Sequence, residues 1–185
     1  MNTRQLSSIA QAVALSVGTL LYCGGAVAAG DRAAYDQAKS SARATYDADK
    51  KACDSMGGNA KDICVAEAKA KRTRTEVEAE AAWQDTPKAR EHAVHEIAEA
   101  DYQVAKERCD DKGGNAKDVC VKEAKAAMTT TVADAKAKKV GTEARMDANK
   151  DKRDADYKVA AEKCDALAGD AKSACVADAK ARFGK

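Results

Sequence analysis

YDADKKACDSMGGNAKDICVAEAKA, residues 46–70, is followed by two close copies: YQVAKERCDDKGGNAKDVCVKEAKA at 102–126 and YKVAAEKCDALAGDAKSACVADAKA at 157–181. The three align without gaps, with their leading tyrosines 56 and then 55 residues apart. Each copy places a Cys seven residues after the Tyr, an Asp directly behind it, a glycine-bearing turn, and a second Cys eleven residues after the first. A pattern this long and regular is one supersecondary unit copied in tandem.

Within a copy, the residues on both sides of the glycines favour helix. Gly57-Gly58-Asn59 and Gly113-Gly114-Asn115 read as a helix stop followed by a helix start. Glycine enters the left-handed conformation without a Cβ clash, and an Asn at the next position suits an N-cap. Asn59 and Asn115 are therefore expected to cap the second helix of their copies, with Gly169 and Asp170 taking these roles in the third. Each unit predicts a helix, a tight turn and an antiparallel helix.

The cysteines then fall into place. Cys53 and Cys64 are equidistant from the middle of the turn, as are Cys109 with Cys120 and Cys164 with Cys175. Residues equidistant from the bend of an antiparallel hairpin lie at the same height, within reach of a disulfide. Six cysteines allow 15 connectivities, but only the local pairing repeats with the unit. Each bridge closes a loop of about a dozen residues, worth roughly 3 kcal/mol in the chain-entropy account. Redox and zinc motifs place two residues between their cysteines, as in C-x-x-C, so ten intervening residues point to structural bridges. Tyr46, Tyr102 and Tyr157 precede the first Cys by two helical turns, share its face and are expected on the partner helix.

Between the copies, Asp85-Thr86-Pro87 reads as a cap with a first-turn proline, and Gly141-Thr142-Glu143 as a second stop, cap and first-turn acid. Six helices are expected, near 31–55, 59–84, 86–110, 115–140, 142–166 and 170–183. The domain reading is a signal peptide over 1–28 and three hairpin repeats over 29–85, 86–140 and 141–185. The fold class is all-α: three tandem antiparallel helical hairpins, each with one local disulfide. Trp83, the single tryptophan, is placed at the first joint between hairpins.

The first 29 residues differ in kind from the rest. Arg4 precedes an uncharged apolar run from Ile9 to Leu21, and Ala26-Val27-Ala28 provides the small residues that a signal peptidase prefers. Cleavage after Ala28 or Ala29 would send the chain to the periplasm, whose oxidising conditions suit six paired cysteines. A lipoprotein would be cut before Cys23, but Tyr22 is too large for the position ahead of that cut. The run is short of the roughly 20 residues that span a bilayer, and the mature chain has no second one.

Composition narrows the functions. Charged residues make up 34% of the 185 and aromatics 4%, with a net charge of +2, and the two signs are finely mixed. No basic stripe with interleaved aromatics exists, which argues against nucleic acid as a partner. Large apolar residues are sparse beyond residue 30, so an alanine-rich core yields little by burial and the staples must supply the order.

Chemistry is thin. His92 and His95 share a helix face beside Glu91, Glu96 and Glu99 and are candidate ligands for a weakly held divalent metal. The glycine turns lack the G-K-[ST] of a phosphate loop, no serine, histidine and acid stand in a recognisable order, and no cofactor is implied.

The repeated GNAKD-x-C-V-x-EAKA unit and the closing DADYKVAAEKCDALAGDAKSACVADAKARFGK resemble a family of uncharacterised exported, Cys-repeat proteins of Gram-negative bacteria, sometimes labelled TolA-like cell-envelope proteins. The resemblance covers the mature chain and implies a periplasmic location without an activity. TolA itself is similar only in its long alanine- and lysine-rich helical region. The function expected is non-enzymatic: a structural or interaction protein of the periplasm or cell envelope, whose partner is an envelope protein or the chain itself. Divalent-metal binding through His92 and His95, and a holdase-like chaperone role for the alanine-rich faces, are the alternatives.

Overall fold

A computed structural model describes residues 30–185, so the leader reading of 1–28 and Cys23 lie outside the described residues. The chain is all-α, with helices α1 (Arg32–Cys53), α2 (Gly58–Gln84), α3 (Pro87–Cys109), α4 (Gly114–Cys164) and α5 (Gly169–Phe183). Each helix runs antiparallel to the one before it. Among the described residues, each packs only on its sequence neighbours: α1 on α2, α2 on α3, α3 on α4, and α4 on α5. This is the one-dimensional contact pattern of a repeat protein.

The core is thin, as the sparse apolar side chains require. Tyr35, Ala42 and Cys53 form the buried stripe of α1. Val77, Ala81, Ala89 and Ala93 make a cluster between α2 and α3. The side chains most completely excluded from water are Cys53, Cys109 and Cys164. Sulfur at the bends therefore does part of the filling that leucine does in an ordinary bundle.

Helix starts and stops have local causes. Asp31 caps α1 by accepting from the Ala34 amide at 3.0 Å. Thr86 caps α3 in the same way from Ala89, and Pro87 follows as its first residue, as expected. Around the glycines the second helices start one residue earlier than expected and their caps lie two residues earlier. Gly58, Gly114 and Gly169 take positive φ (+55, +53 and +59) and open the second helices themselves. The caps are Gly57, Gly113 and Ala168, in extended backbone and without a side-chain bond. Asn59, Asn115 and Asp170 therefore lie inside the first turn and do not cap. The Asn59 amide instead reaches the neighbouring hairpin, donating to the Glu107 carbonyl at 2.9 Å and the Asp111 carboxylate at 2.7 Å.

The larger correction concerns Gly141-Thr142-Glu143. The chain does not stop there, and α4 continues for 51 residues. The two joints share only their threonine, and the proline of the first decides the difference. Pro87 lacks an amide proton and drives Thr86 out of helical backbone, so α2 cannot run into α3. Gly141 costs a helix interior roughly 1 kcal/mol, and the Thr142 hydroxyl bonds back to the Lys138 carbonyl at 2.8 Å within the turn. Five helices form among the described residues instead of six, and the second and third hairpins share α4. At 1.5 Å per residue that helix is about 76 Å long.

Candidate interaction surface

The three bends are built alike. Cys53–Cys64, Cys109–Cys120 and Cys164–Cys175 are bridged, with Cα atoms 5.8, 5.7 and 5.7 Å apart. Beside each bridge, the Asp after the first Cys receives a Lys from the second helix: Lys61 to Asp54 at 3.0 Å, Lys117 to Asp110 at 3.0 Å and Lys172 to Asp165 at 2.9 Å. Sequence reasoning recorded the Asp but not this clasp, although the seven-residue Asp-to-Lys spacing recurs in every copy. Each repeat tyrosine lies against the partner helix and takes a cation over its ring. Arg72 sits 4.6 Å from Tyr46, Lys125 5.0 Å from Tyr102 and Lys185 6.0 Å from Tyr157.

Trp83, expected at the joint between the first two hairpins, packs within the first. It stacks on Tyr35 of α1 at 5.1 Å, with the Arg32 guanidinium 4.6 Å from its ring, and so closes the open end of the first hairpin. The first two hairpins are held by ion pairs between α2 and α3. Arg74 binds Asp101 at 2.9 Å and Arg108 binds Glu67 at 2.5 Å.

His92 and His95 both point towards the Glu96 carboxylate, with Nδ1 atoms at 3.9 and 3.3 Å. All three are solvent-exposed, and among the described residues no group of three or more His, Cys, Asp or Glu is placed to hold a metal ion. A groove of 570 Å³ runs between α2 and α3, lined by Asp62, Glu96, Glu99 and Glu107 with Lys69 as its one cation. Small apolar side chains (Val65, Ala66, Ala70, Ala100) form the rest of its lining together with Thr73 and Gln103. A groove of this charge attracts cationic groups, and its lining contains neither a histidine nor a cysteine. Sequence reasoning did not find it, because its carboxylates come from two helices that meet only on folding.

Beyond the start of α3, the long helix is bare. Residues 144–153 are exposed without exception, and packing resumes at Asp154 beside Lys185. Hydrogen bonds from Lys185, first, and from Lys150 at 3.2 Å hold the Asp154 carboxyl below the ordinary carboxylate value of 3.8. Val119, Val140, Met146 and Val159 of α4, and Leu167 of the third bend, are all exposed. No described helix is long and apolar enough to cross a membrane. What the arrangement presents is surface: an acidic groove at one end and a bare helix bridging to a stapled hairpin at the other. Comparison with protein-family models, with curated proteins and with solved structures finds no match to this chain.

Proposed function

We propose that the chain is a non-enzymatic structural or interaction protein of the bacterial cell envelope, exported by its leader and acting as a stapled helical spacer. The observation that carries this reading is α4: 51 residues of unbroken helix hold two disulfide-clasped ends apart by a fixed distance. A helix that long, bare over ten residues, buries little of its own surface and has value as a connector or a contact face. Three local bridges make the hairpins insensitive to the scarcity of large apolar residues, which suits an oxidising compartment.

Crosslinking in intact bacteria followed by mass spectrometry tests the reading. Lysines of α2 to α4 are expected to link to another envelope protein, on a chain that begins at Ala29 or Gly30. A chain that keeps residues 1–28 and sits in the cytoplasm with free thiols would overturn the location. Crosslinks confined to the chain and its own copies would overturn the role as a connector to other proteins.

A further inference from the structure

The repeat makes two joints comparable position by position. The first joint, α2 against α3, is closed. The second, the first half of α4 against the second half, is open because α4 runs unbroken. Positions map from the first to the second by 56 on the α2 side (Cys64 to Cys120) and by 55 on the α3 side (Cys109 to Cys164). Val77 and Ala81 of α2 become Ala133 and Ala137; Ala89, Ala93, Ala100 and Val104 of α3 become Ala144, Ala148, Ala155 and Val159. The first set is buried or half-buried and the second is exposed throughout, with Val159 at 57% against 8% for Val104.

The other face of the same segment shows what becomes of positions without a partner. Val94 borders α4 and Ala98 lies one turn further along, and their counterparts are Asn149 and Arg153. Along this stripe the face equivalent to the α2–α3 contact has stayed small and apolar, although Ala66 and Ile97 become Lys122 and Lys152 at its margins, while the face turned to α4 has become polar. Polar ties persist on the retained face as well. Glu67 and Arg108 become Glu123 and Lys163, again of opposite charge and both exposed. Asn59 and Glu107, joined in the first joint, become Asn115 and Glu162. Arg74 becomes Thr130, so that tie is lost.

Because α4 is one continuous helix, both halves of this face fall in one stripe. Residues 133, 137, 144, 148, 155 and 159 advance by alternating steps of four and seven, the spacing of a single helix stripe. We propose that a second copy of this chain covers it, with the two α4 helices antiparallel about a two-fold axis at Glu143, midway between Glu123 and Lys163. The contact is self-complementary. Glu123 of each copy meets Lys163 of the other, and the first half of each α4 meets the second half of the other, as α2 meets α3 within the chain. A chain folded back on itself would need a turn at Gly141-Thr142-Glu143, where helix runs unbroken in the absence of proline. This surface is independent of the envelope role proposed above.

Sedimentation of the purified, fully disulfide-bonded chain over the micromolar range tests the pairing. The unaltered protein is expected at twice the chain mass. Glu123→Lys and Lys163→Glu, each reversing one member of both symmetric pairs, should each weaken dimerisation by at least about tenfold, and the double variant should restore it. Glu143→Pro, which recreates the Thr-Pro of the first joint, should give a compact monomer with the third hairpin folded onto the second. A single-chain mass for the unaltered protein throughout, or a dimer that both single reversals leave unchanged, overturns the proposal.

Discussion

The two glycines of the first bend lie side by side and do different work. Gly58 stands at φ +55 and Gly57 at −129, and neither has an atom within 4 Å of where a Cβ would sit. The cost of a methyl at Gly58 is therefore conformational and not steric, about 1 kcal/mol for left-handed backbone. Gly58→Ala should lower the thermal midpoint of the first hairpin accordingly, while Gly57→Ala should be nearly neutral; equal effects would place the strain elsewhere. Asp154 makes a pH-dependent contribution. Lys185 and Lys150 depress its folded-state pKa below 3.8. Its stabilisation is therefore complete above the unfolded value and fades as the pH falls through the folded one. Asp154→Asn should lower the stability of the third hairpin slightly at neutral pH, by less in high salt, and not at all once both states are protonated. Urea melts at neutral and strongly acid pH measure the difference. The Tyr–Cys–Asp–Gly–Cys spacing was legible residue by residue because every interaction it encodes is local. The tie made by Asn59 was not, since the Glu107 carbonyl that its amide reaches is 48 residues distant.

Among the elements, α4 separates what a sequence dictates from what it allows. Pro87 forbids helix at the first joint, whereas Gly141 merely weakens it at the second, and a stop signal of that strength loses to continuous helical hydrogen bonding. Reading Gly141-Thr142-Glu143 as equivalent to Asp85-Thr86-Pro87 gave them equal force, which produced an expected sixth helix. All three bridges and the hairpin bends were readable, because glycine spacing and cysteine symmetry act within a dozen residues. The acidic groove between α2 and α3 was not, because Asp62 and Glu107 come together only when two helices pack. Gly141 has open space around its Cα, so Gly141→Ala should stabilise the helix by roughly 0.5–1 kcal/mol. Amide exchange provides the companion measurement. Residues 144–153 lack side-chain cover and should exchange faster than the flanking halves of α4 in the monomeric charge-reversal variants. Uniform protection along α4 in those variants would mean that the bare segment is held by something other than neighbouring side chains.

At the scale of the molecule, contacts among the described residues run between sequence-adjacent helices alone, which makes stability a sum of nearly independent parts. The parts are unequal. α2 is packed on both sides, and α3 buries Ala89, Ala93, Ala98, Val104 and Cys109 between its two neighbours. α5 is 15 residues long, buries Ala179 and, among the described residues, packs on α4 alone. A helix of that length is marginal in isolation, so the Cys164–Cys175 bridge carries most of what keeps α5 in place. Each bridge closes a loop of the same size, and by chain entropy each is worth roughly 3 kcal/mol. The consequences of losing one should nevertheless depend on position. Removing Cys164 and Cys175 as a serine pair should release residues 166–185 in a separate early transition and leave the midpoint of α1 to α3 unchanged. Removing Cys109 and Cys120 should instead lower the main transition, because that bridge ties α4 to the best-packed part of the chain. Hydrogen exchange resolved by peptide, followed during thermal unfolding, distinguishes the two. If either serine pair melted all five helices together, the hairpins would form one cooperative unit and the additive description would fail.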